Sequence, residues 1–598
     1  MELRLKNLKY SFRCLGLIIK EHPSFLVCGI ISTICLVLEH LVPINIVAQI
    51  IELFQNRDNY EKPFNEIIKI IIINISIMII SGIIYQIIDY FKYYIQSHFS
   101  LTFSTVLFKK LESIDYEFHQ NAQFLDNYTR ALDGGAEKIY AVANNQMSLI
   151  SSIIDALFIL SIILSVHYLA MVYAMVVAGI YMLIRRKSGE MQFDKQSADR
   201  PFVRLEWAIS RMYFVKDSIP DIKTTNINNV MLDEHTELNK ERIKVYDKYT
   251  TKKTVLDTIG SILLASIYPI ILLIVCYVAI KNKDLSSLAS LTVAATSISN
   301  SINSIIVILT QIQIEALEAK VSFEVLDMES KIEGRGGDKI EGKFEMLSIN
   351  NISFAYGDKV VLNDISLHIK NGEKIAIVGS NGAGKTTFVK LLLRLYDVKK
   401  GSIFFNNNMY TDTDPKEIRG RIGAVFQNPE VYSVSIAENI LLRKIESKED
   451  IDLVIEALKF ADIYDYVMSL PEGLNTIVTR EFSREGAIFS GGQTQKIAVA
   501  RGYAQNYEIL LLDEPSSKLD PLAETKMINN MLSLGKDKTL IFISHRLSAT
   551  CNCDRIYLFE DGIIKEFGTH EELMKLEKGK YREMFISQAE KYIGGNND

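Results

Sequence analysis

The sequence has no basic stripe, no paired metal ligands and no leader-like start. Its 66 Lys and Arg against 72 Asp and Glu leave a net charge of −6 over 598 residues. That is small for the length, and no basic run stands above the background, so the electrostatic footprint of a nucleic-acid binder is missing. Six cysteines, Cys14, Cys28, Cys35, Cys276, Cys551 and Cys553, are scattered along the chain. Three lie in apolar runs, where a free thiol behaves as a small hydrophobe. Cys551 and Cys553 stand one residue apart, but no second Cys or His pair completes a zinc site, so packing in a reducing compartment is the expectation. Residues 1–23 carry Arg4, Lys6, Lys9, Arg13 and Lys20 among apolar positions and end at Pro23. A secretory leader would place a short apolar core and a small-residue cleavage site there; the pattern instead predicts an amphipathic segment on a membrane face.

Hydropathy is uneven. A mean of +0.12 averages a very apolar first half with an ordinary second half. A helix needs about twenty largely apolar residues to cross a hydrocarbon core of roughly 30 Å. Six stretches qualify: Phe25 to Phe54, Ile67 to Tyr94, Met147 to Val166, Tyr168 to Leu183, Val255 to Ile280 and Leu288 to Ile312. Six spans return both ends to one side, and Lys and Arg mark which side is cytoplasmic. The stretch from Arg185-Arg186-Lys187 to Lys252-Lys253 is basic at both membrane ends. By contrast Val166-His167-Tyr168 has no Lys or Arg, and the loop Gln55 to Pro63 balances Arg57 and Lys62 with Asp58 and Glu61. Lys281-Asn282-Lys283-Asp284 is a mild exception. Both termini are expected inside.

The inner connections, about Gln96 to Lys138 and Arg185 to Thr254, are long and helical in pattern, continuous with the spans. Charge within a span is costly, about 2.5 to 3.5 kcal/mol at the centre on insertion scales. Glu39, His40, Asp89 and Asp155 are therefore expected to face a partner helix or a wet cavity. For Asp89 and Asp155 two roles stand open, a proton relay or a buried partner for a backbone or hydroxyl group. In the last span Thr292, Thr296, Ser299, Asn300, Asn303 and Ser304 recur at three- and four-residue spacing and make one polar face. Such a face either lines a path for a polar or amphipathic cargo or glues neighbouring helices.

After Glu315 the pattern turns soluble, and Glu333-Gly334-Arg335-Gly336-Gly337-Asp338 reads as a linker. The expected division is a membrane domain over 1–320, a linker over 321–342 and a second domain over 343–598. Apolar runs Ile375 to Val378, Ile509 to Leu512 and Leu540 to Ser544 alternate with helical segments, which predicts a mostly parallel α/β core. The fold class is thus an α-helical membrane domain followed by an α/β domain. Gly379-Ser380-Asn381-Gly382-Ala383-Gly384-Lys385-Thr386-Thr387 follows the first of these strands and opens a helix. That is a phosphate loop in its proper context: backbone N–H groups and a helix N-terminus converge on an anion, Lys385 reaches the outer phosphates and the Thr386 hydroxyl suits Mg²⁺. Downstream, Ile509-Leu510-Leu511-Leu512 ends in Asp513 and Glu514, a metal-side acid and an acid placed to act on a water. Between them Phe489-Ser490-Gly491-Gly492-Gln493 heads another helix.

Together these motifs resemble the nucleotide-binding domain of an ATP-binding cassette (ABC) transporter. The resemblance identifies Walker A as Gly379 to Thr387, the signature as Ser490 to Gln493 and Walker B as ending at Asp513. Tyr356 sits where the family stacks an aromatic on adenine, Gln427 matches the Q-loop, Ser516-Ser517-Lys518-Leu519-Asp520 the D-loop and His545 the switch histidine. Seven elements fall in the family's order. The whole chain is similar to the type IV exporters, six spans fused ahead of one ATPase domain. The resemblance implies ATP and Mg²⁺, the metal held by Thr386, Gln427 and Asp513, with Glu514, His545 and Gln427 serving hydrolysis. It also implies coupling helices in the inner connections, the first at Asp115 to Asn121 and the second near Tyr213 to Asn226, with Pro220 breaking the helix. A helical subdomain is expected between Gln427 and Gln493. Asp561-Gly562 reads as a hairpin turn, and Gly568-Thr569-His570-Glu571-Glu572 as a capped helix start.

In the family, the signature and D-loop of one chain, here Ser490 to Gln493 and Asp520, complete the site of the other. Two chains per working unit are therefore implied. This chain has both an intact signature and Glu514, so self-pairing gives two competent sites and favours a homodimer over a heterodimer. Three departures bear on coupling: Ser483-Arg484-Glu485-Gly486 transposes the family's charges, Lys518 replaces a small D-loop residue, and Thr494 stands where Arg or Lys is common. No peptidase domain is expected ahead of the spans, so a leader on a peptide cargo would not be removed by this chain. The expected activity is ATP-driven export of a peptide or amphipathic drug-like cargo across a bacterial cell membrane, with lipid and the cargo as partners and no nucleic acid. The alternatives are a lipid flippase, an importer of exporter-like fold and an ATP-gated channel or regulator. Intact catalytic groups argue against the last, since gating alone tolerates a dead site.

Overall fold

The computed structural model describes residues 2–55, 63–166, 168–215, 218–282, 285–333, 336–480, 484–534 and 538–593. Residues 56–62 of the expected outer loop, His167, Lys283-Asp284, Gly334-Arg335 of the linker and Ser483 lie outside them. Contacts divide the chain into two units, Met1–Glu112 with Gln123–Met328, and Ser113–Ala122 with Glu329–Asp598.

The first unit is helical. Its amphipathic start is a helix, Glu2–Glu21, whose Arg13 lies 4.3 Å from the centre of the Phe323 ring and pairs with Asp327. Among the described residues six helices are long and apolar enough to cross a membrane. They begin with Ser24–Gln55, Pro63–Glu112, Gly135–Val166 and Tyr168–Met212. The second has 50 residues, so at about 1.5 Å per residue it far exceeds the roughly 30 Å of hydrocarbon. Its apolar stretch turns Ile72, Ile73, Ile79 and Ile80 outward, as a face meant for lipid does. The unit's core is built on close-packed Ala174, Ala294, Ala295, Ile159, Ile163 and Ile298.

Three helix ends differ from the expectation. The fifth span is two helices, Ile227–Ala265 and Ile267–Asn282, not one. Pro269 has no N–H for the Ala265 carbonyl, and the Ser266 hydroxyl turns back to Leu263 O at 2.6 Å, so the ladder is interrupted between them. The sixth helix, Leu285–Leu326, runs into the stretch expected as linker because Glu315 to Lys320 are strong helix formers. Pro220 lies in the first turn of the short helix Ile219–Thr224, where a missing N–H costs nothing, and the long helix ends earlier at Met212.

Asp155 takes the role of buried partner. It is 1 % exposed, accepts from the Ser301 hydroxyl at 2.5 Å and meets His40 Nδ1 at 2.9 Å, joining the third span to the sixth and the first. Glu39 and Asp89 are exposed. On the polar face of the last span, Asn303 accepts from the Tyr181 hydroxyl at 2.8 Å and Ser299 reaches Leu264 O at 3.4 Å, which is the gluing role, whereas Asn300 is exposed.

The second unit holds ten strands among its described residues. They are β1 Met346–Tyr356, β2 Lys359–Lys370, β3 Lys374–Gly379, β4 Lys400–Phe405, β5 Asn408–Met409, β6 Ile422–Val425, β7 Ile509–Asp513, β8 Thr539–Ser544, β9 Arg555–Glu560 and β10 Ile563–Gly568. One sheet has the order β10-β9-β3-β8-β7-β6, parallel except at the β10 edge; the other, β2-β1-β4-β5, is antiparallel. β7 and β8 are buried throughout, as parallel strands covered on both faces are. Helices Ile436–Leu441, Lys448–Phe460 and Tyr464–Met468 form the expected helical insertion ahead of the helix Gly491–Ala504. Asp561-Gly562 turns β9 into β10, and Thr569 with Glu572 makes a capping box on the helix His570–Lys575.

The segment Asp115 to Asn121 belongs to this second unit. Asp115 accepts from the backbone N–H groups of Lys331, Ile332 and Glu333 at 2.7 to 3.0 Å and from the Ser330 hydroxyl. Burial pushes this carboxyl up, but those donors outweigh it and hold it below the usual range.

Candidate nucleotide site

The central strand β3 is buried between β8 and β9, and its C-terminal end delivers the glycine loop. Glycine is required at 379: φ is 149°, and a Cβ there would lie 2.2 Å from Phe559 O. Gly384, at φ 98°, caps the helix Lys385–Leu392 with a backbone a side chain would strain. Ser380, Asn381, Gly382 and Ala383 form the turn between them, with Ala383 N bonded to Ser380 O. Inside the turn the buried Lys385 ammonium donates to Gly379 O at 2.8 Å and Ser380 O at 3.0 Å. Burial lowers its pKa, against the opposing pull of Glu514 and Asp513.

The parallel strands bring the acids to the same edge. Asp513 ends β7, 4 % exposed, with one carboxylate oxygen 3.5 Å from the Thr386 hydroxyl. Burial and the neighbouring Glu514 push it up to about 6. Glu514 takes a left-handed backbone at φ 50°, with its N–H bonded to Ile543 O at 2.9 Å. Its side chain accepts from Gln427 Nε2 at 2.6 Å and meets His545 Nδ1 at 2.9 Å. Gln427 follows β6 and His545 follows β8, so three strand ends converge on one carboxylate. The hydroxyl of Thr386, the carboxylate of Asp513 and the amide of Gln427 are hard oxygen donors, the set that Mg²⁺ takes.

Tyr356 closes the other flank. It ends β1 with its hydroxyl 3.5 Å from the Thr387 hydroxyl, and its ring stands edge-on to Tyr396 at 5.4 Å. Tyr396 in turn packs edge-on to Tyr116 at 5.6 Å, and Lys390, on the loop's own helix, lies over Tyr116. The predicted adenine-facing ring and the predicted first coupling segment thus have one ring, Tyr396, between them.

The signature residues lie at a second place. Ser490 caps the helix Gly491–Ala504 in a capping box with Gln493 and presents Gly491 and Gly492 at its N-terminus. They line a cavity of about 520 Å³ with Asp462, Lys496, Lys518 and Asp520, and none of residues 379–387 lies in its wall. Asp520 caps the next helix, accepting from Leu522 N and Ala523 N. Arg484 and Glu485 are exposed, and nothing in the structure explains their transposition.

Two residues escaped the sequence reading. Gln495, fully buried, donates to Glu514 O at 3.0 Å and so ties the signature helix to the strained acid. Glu524 accepts from the Ser516 hydroxyl at 2.6 Å and pairs with Arg546, joining the D-loop to the residue after His545. A glutamine within a helix and a glutamate in a first turn give no sign of either.

Residues 362–517 match the family described as ABC transporter. The subtilin transport ATP-binding protein SpaT of Bacillus subtilis is 28% identical over 528 residues, 88% of this chain and 86% of that protein. A Staphylococcus aureus protein named as a multidrug export ATP-binding/permease protein is 36% identical over 269 residues, 44% of this chain and 45% of its own length. A bacterial Atm1-family ABC exporter solved with ATP bound has the same fold, with a TM-score of 0.82 and 19% identity over 95% of this chain and 98% of that one.

Proposed function

Because this chain belongs to the ABC transporters, with six membrane-capable helices ahead of one ATP-binding domain, we propose that it exports a peptide or amphipathic drug-like cargo as a dimer working by alternating access. ATP binding and hydrolysis coupled to transport go with the domain. The observation that carries it is the meeting of the glycine loop, Asp513, Glu514, Gln427 and His545 at one sheet edge, in a chain that also holds six spans. The similarity to a subtilin transport protein, which extends over both halves, favours a peptide-like cargo. The multidrug relatives match less than half of the chain and favour it less.

In this reading Tyr356 stacks on adenine, and residues 379–387 hold the phosphates through backbone N–H groups and Lys385. Mg²⁺, held by Thr386, Asp513 and Gln427, would neutralise phosphate charge when bound. Lys385 turns from the loop carbonyls to the outer phosphates. Glu514 gives up a partner to orient a water and take its proton, while His545 holds the γ-phosphate side. Ser490 to Gln493 and Asp520 of one copy complete the site of the other, and two copies of this chain give two competent sites. Closure passes to the spans through Asp115 to Asn121 and Ile219–Thr224 and turns the cargo site outward, where it binds cargo less tightly. Loss of the γ-phosphate removes the charge that held the copies together. Both termini and residues 343–598 face the cytoplasm of a bacterial cell, which the basic ends of the inner connection support.

The test is ATPase activity of the purified chain in lipid vesicles, wild type beside Glu514→Gln, with a panel of peptides, drugs and lipids. Activity lost in the variant and raised by a peptide or drug is expected. Folded, ATP-binding protein without activity would overturn self-pairing, and stimulation by lipid alone would overturn the cargo.

A further inference from the structure

Among the described residues, the cavity at the signature holds one basic side chain with no partner. Of its basic residues, Lys496 donates to the Asp462 carbonyl at 2.8 Å and carboxylate at 3.0 Å, and that carboxylate also takes Lys526. Asp520 is spent on its own helix start. Lys518 is exposed, lines the same wall, and among the described residues has no hydrogen bond or ion pair. Its stem crosses the start of the helix Gly491–Ala504: a Cβ on Gly491 would come 2.8 Å from Lys518 Cδ. A free ammonium and the positive end of a 14-residue helix therefore share one cavity of about 520 Å³, a site for a multiply charged anion.

We propose that Lys518 is a ligand of the γ-phosphate of the ATP held by the opposing copy, adding a full charge to the backbone donors of the signature. The inference rests on the dimeric reading above, in which Ser490 to Gln493 face that phosphate. The D-loop then carries a cation acting in trans, and release of phosphate after hydrolysis leaves Lys518 unmatched again and favours opening.

Two substitutions separate charge from packing. Lys518→Met keeps the stem over Gly491 and removes the charge; Lys518→Arg keeps the charge. In vesicles, kcat for ATP is expected to fall about tenfold in Lys518→Met, the effect of one charge-assisted hydrogen bond, with KM changed less than about twofold because Walker A still holds the nucleotide. Lys518→Arg should return kcat to within about threefold of wild type. Wild-type kcat in Lys518→Met, or Arg no better than Met, overturns the proposal. Cross-linking of Glu514→Gln chains with and without ATP tests the dimer separately. An ATP-dependent cross-linked dimer together with an unaffected Lys518→Met rejects Lys518 alone. No such dimer rejects the dimeric reading and the proposal with it.

Discussion

Nδ1 of His545 lies 2.9 Å from one carboxylate oxygen of Glu514, while Gln427 Nε2 donates to the other over 2.6 Å. Both oxygens of the acid proposed to act on water are engaged, and its backbone is held at φ 50° from three directions: by β7, by Ile543 O and by Gln495. Glu514 is positioned by the sheet and the signature helix together.

Glu514→Gln should reduce hydrolysis by about 10² to 10⁴, the usual worth of a general base, while ATP binding persists. Gln495→Leu should lower kcat about fivefold through loss of one hydrogen bond to the Glu514 carbonyl, without changing the ATP dissociation constant. Steady-state kinetics beside nucleotide-binding titrations check both.

The pH dependence follows from Asp513, pushed up to about 6 by burial and by Glu514. A raised folded-state pKa means that its contribution to stability is complete below the ordinary carboxylate range and is lost as pH rises through about 6. Without nucleotide, the thermal midpoint should therefore fall between pH 5 and 7 more in wild type than in Asp513→Asn. In the proposed metal site Mg²⁺ with ATP needs the ionised acid, so its protection against heat should be greater at pH 7.5 than at pH 5.5, as differential scanning fluorimetry would read.

Tyr396 stands between Tyr356 and Tyr116, with ring centroids 5.4 and 5.6 Å away. Tyr356→Ala should raise KM for ATP about tenfold, by loss of an aromatic stacking contact worth about 1 kcal/mol or more. Tyr116→Ala, on the proposed coupling segment, should leave cargo-free ATPase activity within about twofold and abolish its stimulation by cargo. Equal stimulation in wild type and Tyr116→Ala would show that the segment does not transmit closure.

Within the membrane unit, Asp155→Ala removes the shared partner of Ser301 and His40. Interhelical hydrogen bonds in membranes are worth about 0.6 to 2 kcal/mol, so the variant should unfold a few degrees earlier in detergent, with Asp155→Asn closer to wild type. Unchanged unfolding together with lost transport would move Asp155 from a packing role to a proton-carrying one.

The parts legible in the chain were those whose signal is contiguous. Residues 374–387 read as strand, loop and helix because each step is set by neighbours: an apolar run, glycines where φ is positive, then helix formers. Apolar runs of span length read directly for the same reason, as the solvent change acts on every residue of the run. Helix ends were less legible. The break at Ser266 depends on Pro269 and on a hydroxyl turning back, and the extension to Leu326 on helix propensity outlasting hydrophobicity.

Composition and order along the chain thus determined that it holds six runs long and apolar enough to cross a membrane, and a phosphate loop, since both follow from local chemistry. Tertiary structure decided which groups meet. Gln427, Glu514 and His545 are 87 and 31 residues apart in chain pairing, and only parallel strand order brings them to one edge. Asp115 lies more than 200 residues from the N–H groups that fix it, and the Lys518 stem reaches Gly491 only because the D-loop folds over the signature helix. Such meetings depend on the packing of whole elements, which no spacing along the chain records.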